Sequence, residues 1–272
     1  METSVPAPVV QHRRFQSPRG EIHYVDAGEG EPLLLIHGGH GSWVHWIANI
    51  DMLAEHRRVL ALDLPGFGDS ADPGGLLQLA DYAAVVSALI ATLDLRNVAL
   101  AGFSFGTLVA ATAAVAEPRL VTSLVLVNPP GVGERTAAAL ALPQRLSDLA
   151  KEQGLCAGVT GTLKEMMLYN HERISEDLVF LIADCVTRTR YPTRKLSRQS
   201  KMIPILENVR QRTMVIFGEK DPYHCHDLDG RGERINRALG APATRVIASA
   251  SHWVQYDRPD HFNQTLLGFL NA

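Results

Sequence analysis

Few features of this 272-residue chain favour a membrane, a nucleic acid or a metal as its partner. No stretch approaches the roughly 18 uninterrupted apolar residues of a membrane span, and no basic segment followed by an apolar run indicates a signal peptide. The formal net charge of −3 gives no electrostatic reason to expect nucleic acid or an anionic membrane. We therefore expect a small-molecule substrate as the partner, and nothing in the chain predicts a cofactor.

Cysteine is also scarce. Cys156, Cys185 and Cys225 are odd in number and scattered, which favours free thiols in a reducing cytoplasm over a disulfide or metal framework. Hydrophobic residues, in contrast, make up 46% of the chain and charged residues 20%, enough to bury a sizeable core. The length suits one large α/β domain, or such a domain with an inserted cap.

Short apolar runs alternate with helical patterns along most of the chain. Residues 22–25 are interpreted as an early strand of a hairpin, and the apolar runs that follow are residues 33–36, 59–62, 98–101, 124–127, 214–217 and 245–248. The helical patterns between them are residues 42–55, 78–93, 105–117, 229–239 and 258–270. Continuous apolar runs are typical of strands covered on both faces. Their alternation with helices predicts an α/β fold with a parallel sheet and helices on both faces.

Residues 131–210 interrupt this alternation. They contain helical patterns around 136–152, 159–170 and 175–189 and no buried strand. Because ligands bind at the carboxyl edge of open α/β sheets, we interpret this segment as a helical cap over that edge. The predicted domains are a core of residues 11–130 and 211–272 and a cap of residues 131–210. Residues 1–10 are expected to form a loose tail.

The strongest chemical signal is Gly102-Phe103-Ser104-Phe105-Gly106, which follows a buried strand and precedes an alanine-rich helical pattern. A nucleophilic serine on a strained strand-to-helix turn requires this context. Small residues two positions before and after the serine let strand and helix approach closely. A glycine-flanked turn with an incidental serine is the alternative, and the strand and helix on either side favour the nucleophile.

A serine hydroxyl needs a base, and the base needs an acid to orient it. His252 follows the last apolar run, and Asp221 follows the penultimate one. The order Ser104, Asp221, His252 is the chain order of the nucleophile-elbow hydrolases. The rival acids are Glu219, Asp227 and Asp229. A zinc site at His224, Cys225 and His226 is disfavoured because no further ligand set has suitable spacing.

Glycines after the first fully buried strand predict an oxyanion hole. Residues 37–41 read His-Gly-Gly-His-Gly, and backbone N–H groups there can face a reacting carbonyl. We assign one donor to Gly39 and the other to Phe105, the residue after the nucleophile. A simple glycine-rich turn before a helix is the alternative, and the glycine spacing fits neither a Walker loop nor a dinucleotide-binding fingerprint. The loop of residues 63–70 is interpreted as a structural loop that shapes the edge of the site, and Asp63 is expected to form hydrogen bonds with backbone groups.

Taken together, residues 102–106, Asp221, His252 and the loops at 37–41 and 63–70 resemble the α/β-hydrolase family over nearly the whole chain from about residue 20. The resemblance implies a mostly parallel eight-stranded sheet with helices on both faces and a helical cap inserted after strand 6. It also sets aside the haloalkane dehalogenases and epoxide hydrolases, which use an aspartate nucleophile.

Residues 252–256 and 261–263 further resemble the C-terminal stretch of meta-cleavage-product hydrolases, which cleave carbon–carbon bonds in dienol-diketo acids. That resemblance implies a cap arginine at the substrate, for which Arg188 and Arg190 are the candidates, with solvated surface charges as the alternative. The chain departs from that subgroup at Phe103, where those enzymes usually have asparagine.

Three functions follow. The first is a serine hydrolase of a small, mostly apolar or aromatic ester or acyl substrate; the others are a carbon–carbon bond hydrolase and a receptor-like ligand-binding protein with little turnover. A cofactor-free perhydrolase would use the same triad. A homodimer is expected only because homodimers are the most frequent oligomers, since no sequence feature indicates an oligomeric state. The predicted substrate-binding residues are His37, Gly38, Phe103, Arg188, Arg190 and Trp253.

Overall fold

A computed structural model describes residues 8–191 and 193–272 of the chain, so most of the predicted N-terminal tail lies outside the described residues. Eight strands form one sheet with the order β1-β2-β4-β3-β5-β6-β7-β8. The strands are β1 (Gln11–Ser17), β2 (Gly20–Ala27), β3 (Pro32–Ile36), β4 (Arg58–Leu62), β5 (Val98–Phe103), β6 (Val121–Val127), β7 (Arg212–Gly218) and β8 (Thr244–Ile247).

The first two strands are antiparallel to their neighbours, and β3 to β8 pair in parallel. Strand β3 illustrates why the inner strands are continuous apolar runs. Leu34 and Ile36 pack into the core on one face of the sheet, and Leu33 and Leu35 pack into the core on the other. Both faces are therefore covered, and the predicted mostly parallel eight-stranded α/β fold is confirmed.

Eleven α-helices occur in the described part of the chain. They are α1 (Ile50–Ala54), α2 (Leu79–Thr92), α3 (Phe105–Ala116), α4 (Ala137–Gln153), α5 (Leu155–Thr162), α6 (Glu176–Thr187), α7 (Arg194–Gln199), α8 (Met202–Leu206), α9 (Leu228–Leu239), α10 (Val254–Asp257) and α11 (Pro259–Leu270). The pattern predicted over 42–55 is divided into a short 3₁₀ turn, Trp43–Trp46, and α1. None of the described helices is long and apolar enough to cross a membrane.

The chain between β6 and β7 is helical, as predicted for the inserted cap. Helix α4, helix α5 and helix α6 correspond to the three predicted patterns, and α5 continues into a π-helical turn at Leu163–Met167. The short helices α7 and α8 were not predicted. Both are too short for a hydrophobic period to be recognised in sequence. The cap is named here by position, and its standing as a separate domain stays a prediction.

Candidate functional site

Ser104 lies on a strained turn between β5 and α3. Its backbone φ of +49° and ψ of −115° are rare for a residue other than glycine. The flanking glycines permit this turn. A Cβ on Gly102 would lie 2.4 Å from the Gly106 carbonyl oxygen, and a Cβ on Gly106 would lie 2.3 Å from the Ile36 oxygen. Substitution at either glycine would displace the backbone that presents the serine hydroxyl.

His252 lies in hydrogen-bonding distance of both other predicted triad residues, Ser104 and Asp221. His252 Nε2 is 3.0 Å from Ser104 Oγ, and His252 Nδ1 is 2.6 Å from Asp221 Oδ2. The bonding implies a neutral imidazole that donates from Nδ1 to Asp221 and accepts the serine proton at Nε2. A chain of hydrogen bonds therefore links the hydroxyl to a fully buried carboxylate.

Asp221 is held in its charged form despite its burial. Burial alone would raise the pKa of the carboxyl, but His252, His224 and the hydrogen bonds it accepts lower the pKa below its ordinary value of 3.8. One of those bonds comes from the backbone N–H of Tyr223 at 2.8 Å. The ionised carboxylate is the partner that a protonated His252 requires.

Asn128 positions the histidine loop, a role that the sequence patterns did not indicate. The side chain is fully buried at the carboxyl end of β6. Its Nδ2 donates to the His252 carbonyl oxygen at 2.7 Å, and its Oδ1 accepts the Gly218 N–H at 3.1 Å. The residue thus ties the end of β7 to the loop that carries His252. Only its place directly after an apolar strand could have pointed to it.

The predicted oxyanion donors both line the cavity in front of Ser104. Phe105 is the first residue of α3, so its N–H has no partner four residues back in the helix. In the glycine loop the Gly38 N–H donates to His45 Nδ1 at 3.1 Å, whereas the N–H of Gly39 has no acceptor among residues 8–191 and 193–272.

The cavity around the nucleophile, which we call the nucleophile chamber, has a volume of about 150 Å³. Its lining includes Phe103, as predicted, and three arginines, Arg135, Arg194 and Arg198, but no aspartate or glutamate among the described residues. None of these arginines pairs with a carboxylate in the part of the chain that is described, whereas nine other arginines do. The chamber is therefore cationic.

All three arginines exert their charge at the same point. Burial raises the pKa of the Tyr223 phenol, and the charges of Arg135, Arg194 and Arg198 oppose that rise. The Arg135 guanidinium stacks 4.5 Å from the centre of the Tyr223 ring, and that ring lies 5.4 Å from the ring of His252. The positive charges thus act on the side of the cavity where His252 lies.

A second cavity of about 460 Å³ lies under the cap, and we call it the cap chamber. Most of its lining is apolar and includes Leu146, Leu155, Val159, Leu163, Ile182, Val186 and Trp253. It shares several lining residues with the nucleophile chamber, among them Gly39, His45 and Arg194. The two chambers therefore form one divided site with a charged part and an apolar part. The predicted substrate residue Trp253 belongs to the apolar part.

Two predicted substrate arginines lie elsewhere. Arg188 forms ion pairs with Asp69 and Asp184, and Arg190 donates to the Ser70 carbonyl oxygen at 2.8 Å. Both guanidinium groups are therefore used to fasten the end of α6 to the loop of residues 63–70, and neither lines the two chambers. This corrects the expectation that they hold the substrate.

His37 also serves the loop rather than the cavity. Its Nε2 accepts the Leu64 N–H at 3.0 Å and its Nδ1 lies 2.6 Å from the Gly38 carbonyl oxygen. One nitrogen accepts and the other faces a carbonyl oxygen, as in a neutral ring, and burial lowers the pKa of His37 in the same sense. Asp63 likewise accepts backbone N–H groups, from Trp43 and Asp69. His37 and Asp63 therefore stabilise the glycine loop and the loop of residues 63–70, and their hydrogen-bonding groups are used within these loops.

Two clusters of side chains bring possible metal ligands within 4.8 Å of one another, Asp221, His224 and His252 in one and His23, Asp63 and Asp69 in the other. In the first cluster, Asp221 Oδ2 and His252 Nδ1 already form a hydrogen bond with each other at 2.6 Å. In the second, Asp63 Oδ2 already accepts from His23 and from the Asp69 N–H. We assign a metal to neither cluster.

The cap contacts the histidine loop directly through backbone hydrogen bonds. The N–H groups of His252 and Trp253 donate to the carbonyl oxygens of Met166 and Met167, at 3.3 and 2.8 Å. These acceptors lie at the end of the π-helical turn, where the usual helical bonding is shifted by one residue. Asp257 accepts from Ser251 N–H at 2.8 Å and, on the cap side, from the N–H groups that follow this turn. The loop that carries His252 is therefore joined to the cap by hydrogen bonds from both sides, and we call this connection the clamp.

Comparison with known proteins adds relatives to this geometry. The sequence pattern of the family described as "Alpha/beta hydrolase family" matches residues 33–265. An (E)-2-((N-methylformamido)methylene)succinate hydrolase of Acinetobacter baylyi is 30% identical over 254 residues, which are 92% of this chain and 94% of that protein. A 2-hydroxy-6-oxo-6-phenylhexa-2,4-dienoate hydrolase of Comamonas testosteroni is 26% identical, with 92% and 91% covered.

Solved structures extend the likeness in fold. The enol-lactonase from Burkholderia xenovorans LB400 superimposes with a TM-score of 0.78 at 21% sequence identity, covering 96% of this chain and all of that one. At this identity the likeness concerns the fold alone. The relatives and this structural neighbour are all hydrolytic enzymes by name.

Proposed function

The chain belongs to the alpha/beta hydrolase family and is a hydrolase of that fold, and from this premise we propose that it is a serine hydrolase that cleaves a carboxylate-bearing acyl compound. The observation that carries the proposal is the continuous set of hydrogen bonds from Ser104 Oγ through His252 to Asp221. A hydroxyl with an adjacent base and an orienting acid is the arrangement that nucleophilic acyl transfer needs.

The reaction uses these groups in two steps. Ser104 Oγ attacks the acyl carbonyl while His252 Nε2 takes the hydroxyl proton, and the oxyanion that forms accepts from the N–H groups of Gly39 and Phe105. His252 then gives the proton to the leaving group as the acyl bond breaks. A water molecule, deprotonated by His252, attacks the acyl-serine and releases the acid. Asp221 stabilises the imidazolium in both steps.

The charge of the nucleophile chamber supports an anionic substrate. Arg194 and Arg198 are four residues apart on α7 and so project from one face of the helix, and Arg135 lies at the Tyr223 ring beside them. Guanidinium groups without acidic partners are matched to carboxylates through paired N–H donors. The cap chamber supports an apolar arm on the same compound, in keeping with the aromatic or apolar substrate predicted from sequence.

The names of the relatives point the same way. The relative from Acinetobacter baylyi is named for a substituted succinate and that from Comamonas testosteroni for a dienoate, and both names describe carboxylates. The second name also favours a second candidate, hydrolysis of a carbon–carbon bond by the same residues. A coloured 2-hydroxy-6-oxo-dienoate that is bleached by the protein, and not by its Ser104→Ala variant, would support this candidate.

A matched pair of esters tests the first candidate. The 4-nitrophenyl ester of pentanoate and the 4-nitrophenyl monoester of glutarate share the leaving group and chain length, but only the second carries a free carboxylate. We expect turnover of both, with kcat/KM at least about tenfold higher for the glutarate ester, and loss of both activities in Ser104→Ala. Equal rates on the two esters would contradict the anionic substrate, and undiminished turnover by Ser104→Ala would contradict the mechanism.

A further inference from the structure

His45 is a buried histidine that the mechanism above does not use. It lies in the 3₁₀ turn Trp43–Trp46, and only 3% of its surface is exposed. Nevertheless it lines both the nucleophile chamber and the cap chamber. A buried polar ring at the junction of two cavities is a candidate for contact with whatever compound spans them.

The protonation of the ring follows from its one strong hydrogen bond. The Gly38 N–H donates to Nδ1 at 3.1 Å, so Nδ1 must carry a lone pair and a neutral ring must carry its proton on Nε2. Burial, and after it the neighbouring His37, His252 and His40, hold the pKa of His45 well below its ordinary value of 6.5. The hydrogen bond and the lowered pKa both favour a neutral ring that offers Nε2–H as a donor.

The orientation of the ring is fixed from three sides. It meets the Phe103 ring edge-on at 5.1 Å and the Trp253 ring at 5.3 Å. On the third side it fills the space over Gly41, where an added Cβ would lie 2.0 Å from His45 Cε1. The His45 carbonyl oxygen also accepts the Trp253 indole N–H at 2.8 Å. A ring so confined cannot turn to exchange its two nitrogens.

The Nε2–H group is the part of the ring left for a ligand. Among residues 8–191 and 193–272 no acceptor takes a hydrogen bond from it, and it is not among the buried polar atoms that are sealed without a partner. A donor that borders a cavity and has no protein acceptor is available to a ligand oxygen.

We propose that His45 Nε2–H is a specificity-determining donor, which binds a second oxygen of the substrate, a carbonyl or hydroxyl group on the arm that extends from the reacting acyl group between the two chambers. The inference rests on the proposed function for the position of that acyl group. The proposed function already requires a carboxylate on the substrate, which the arginines of the nucleophile chamber would bind. The His45 donor adds the requirement that the substrate also carry a neutral oxygen acceptor.

The direct test is a long-range ¹H–¹⁵N correlation spectrum of the Ser104→Ala protein, with the His45 signals assigned by their loss in a His45→Gln variant. We expect the neutral Nε2–H tautomer from pH 5.5 to 8. Added 4-oxopentanoate or 5-oxohexanoate should shift the Nε2 signal, whereas pentanoate, which lacks the second oxygen, should leave it in place. An Nδ1–H tautomer, an imidazolium at pH 6.5, or an equal response to pentanoate would overturn the proposal.

Kinetics then separate substrate contact from a purely structural role. With 4-nitrophenyl esters of the same acids, His45→Leu should lower kcat/KM for the oxo esters about five- to tenfold more than for the pentanoate ester. His45→Gln, whose amide can accept from Gly38 and donate to substrate, should restore much of the difference, and His56→Gln, at an exposed position, should change nothing. Equal losses on all esters in His45→Leu would reduce the residue to a support of the glycine loop.

The spectrum needs no turnover, so it separates this proposal from the proposed function. Failure of every ester to react, together with a normal response of Nε2 to the oxo acids, would contradict the hydrolytic mechanism and leave the donor in place. Ester hydrolysis that depends on Ser104, together with a His45 Nε2 signal that does not shift with the oxo acids, would contradict only the proposed role of His45.

Discussion

The two walls of the divided site differ in how their polar groups are satisfied. On the sheet side, Asp221, His252 and Asn128 are buried, and each is engaged in hydrogen bonds with other parts of the core. On the cap side, Arg194 and Arg198 are exposed and have no carboxylate partner among the described residues. The first wall is preorganised for one chemical step, and the second holds charge in readiness for a ligand.

From this difference we infer that the two walls act on different kinetic parameters. Groups fixed before the substrate arrives lower the barrier and act on kcat, whereas groups that find their partner only in the substrate act on its binding. Substitutions in the two walls should therefore separate kcat from KM.

The largest effect is expected in the sheet wall. Asp221→Asn keeps the size of the side chain but removes the charge that supports the imidazolium, and it favours the wrong tautomer of His252. We expect kcat to fall on the order of 10⁴-fold with little change in KM, measured by steady-state hydrolysis of the 4-nitrophenyl glutarate monoester. A loss confined to KM would erase the distinction between the walls.

The next effect belongs to the cap wall. Arg194→Gln combined with Arg198→Gln removes two donors to the substrate carboxylate, so we expect kcat/KM for the glutarate monoester to fall about 10- to 100-fold, mainly through KM. Activity on the uncharged pentanoate ester should change less than about threefold. The matched control is Arg188→Gln, which lies on the cap outside both chambers, and a similar loss in that variant would remove the specific role of α7.

The seam between the walls gives an effect of intermediate kind. Asp257 accepts N–H groups from both sides of the clamp with its two oxygens, and an amide can accept with only one. Asp257→Asn should lower the free energy of unfolding by about 1–3 kcal/mol, as measured in urea. A matched drop in kcat would indicate that the clamp also holds His252 in place; unchanged stability would mean that the clamp carries no load.

The effect that is smallest at neutral pH concerns stability and grows only as the pH falls. Burial lowers the pKa of His224 to about 3, so between pH 6.5 and about 3 the unfolded chain binds a proton there that the folded chain does not. Stability from this group is complete above pH 6.5 and declines as the pH falls, by about 1.4 kcal/mol per pH unit. His224→Leu should flatten the slope by that amount in urea titrations. The exposed control His56→Gln should retain the full slope.

The sheet wall could be predicted from sequence because its residues follow strands that the apolar runs identify. Ser104, Asp221 and His252 each stand just after such a run, and the carboxyl ends of parallel strands meet at one edge. Asn128 stands in the same relation to β6 but carries no motif. Its position after β6 was the only available signal. An asparagine at that position is equally compatible with an ordinary turn, so position alone could not identify it.

The cap wall could not be predicted in the same way. Which side of a short helix faces the cavity depends on packing between irregular segments, and neither α7 nor its two arginines has a recognisable period. Arg188 and Arg190 are near in sequence to Arg194, but they turn to Asp69 and to the Ser70 carbonyl oxygen. The cationic character of the site is therefore a property of the folded chain, whereas the nucleophile is already visible in the sequence.

Covalent labelling with a fluorophosphonate, followed by peptide mass spectrometry, asks whether Ser104 is the activated nucleophile. Because His252 and Asp221 would activate this one hydroxyl, we expect a single adduct on Ser104, absent in Ser104→Ala and formed far more slowly in His252→Gln. An adduct on any other residue, or labelling that persists in Ser104→Ala, would show that Ser104 is not the nucleophile.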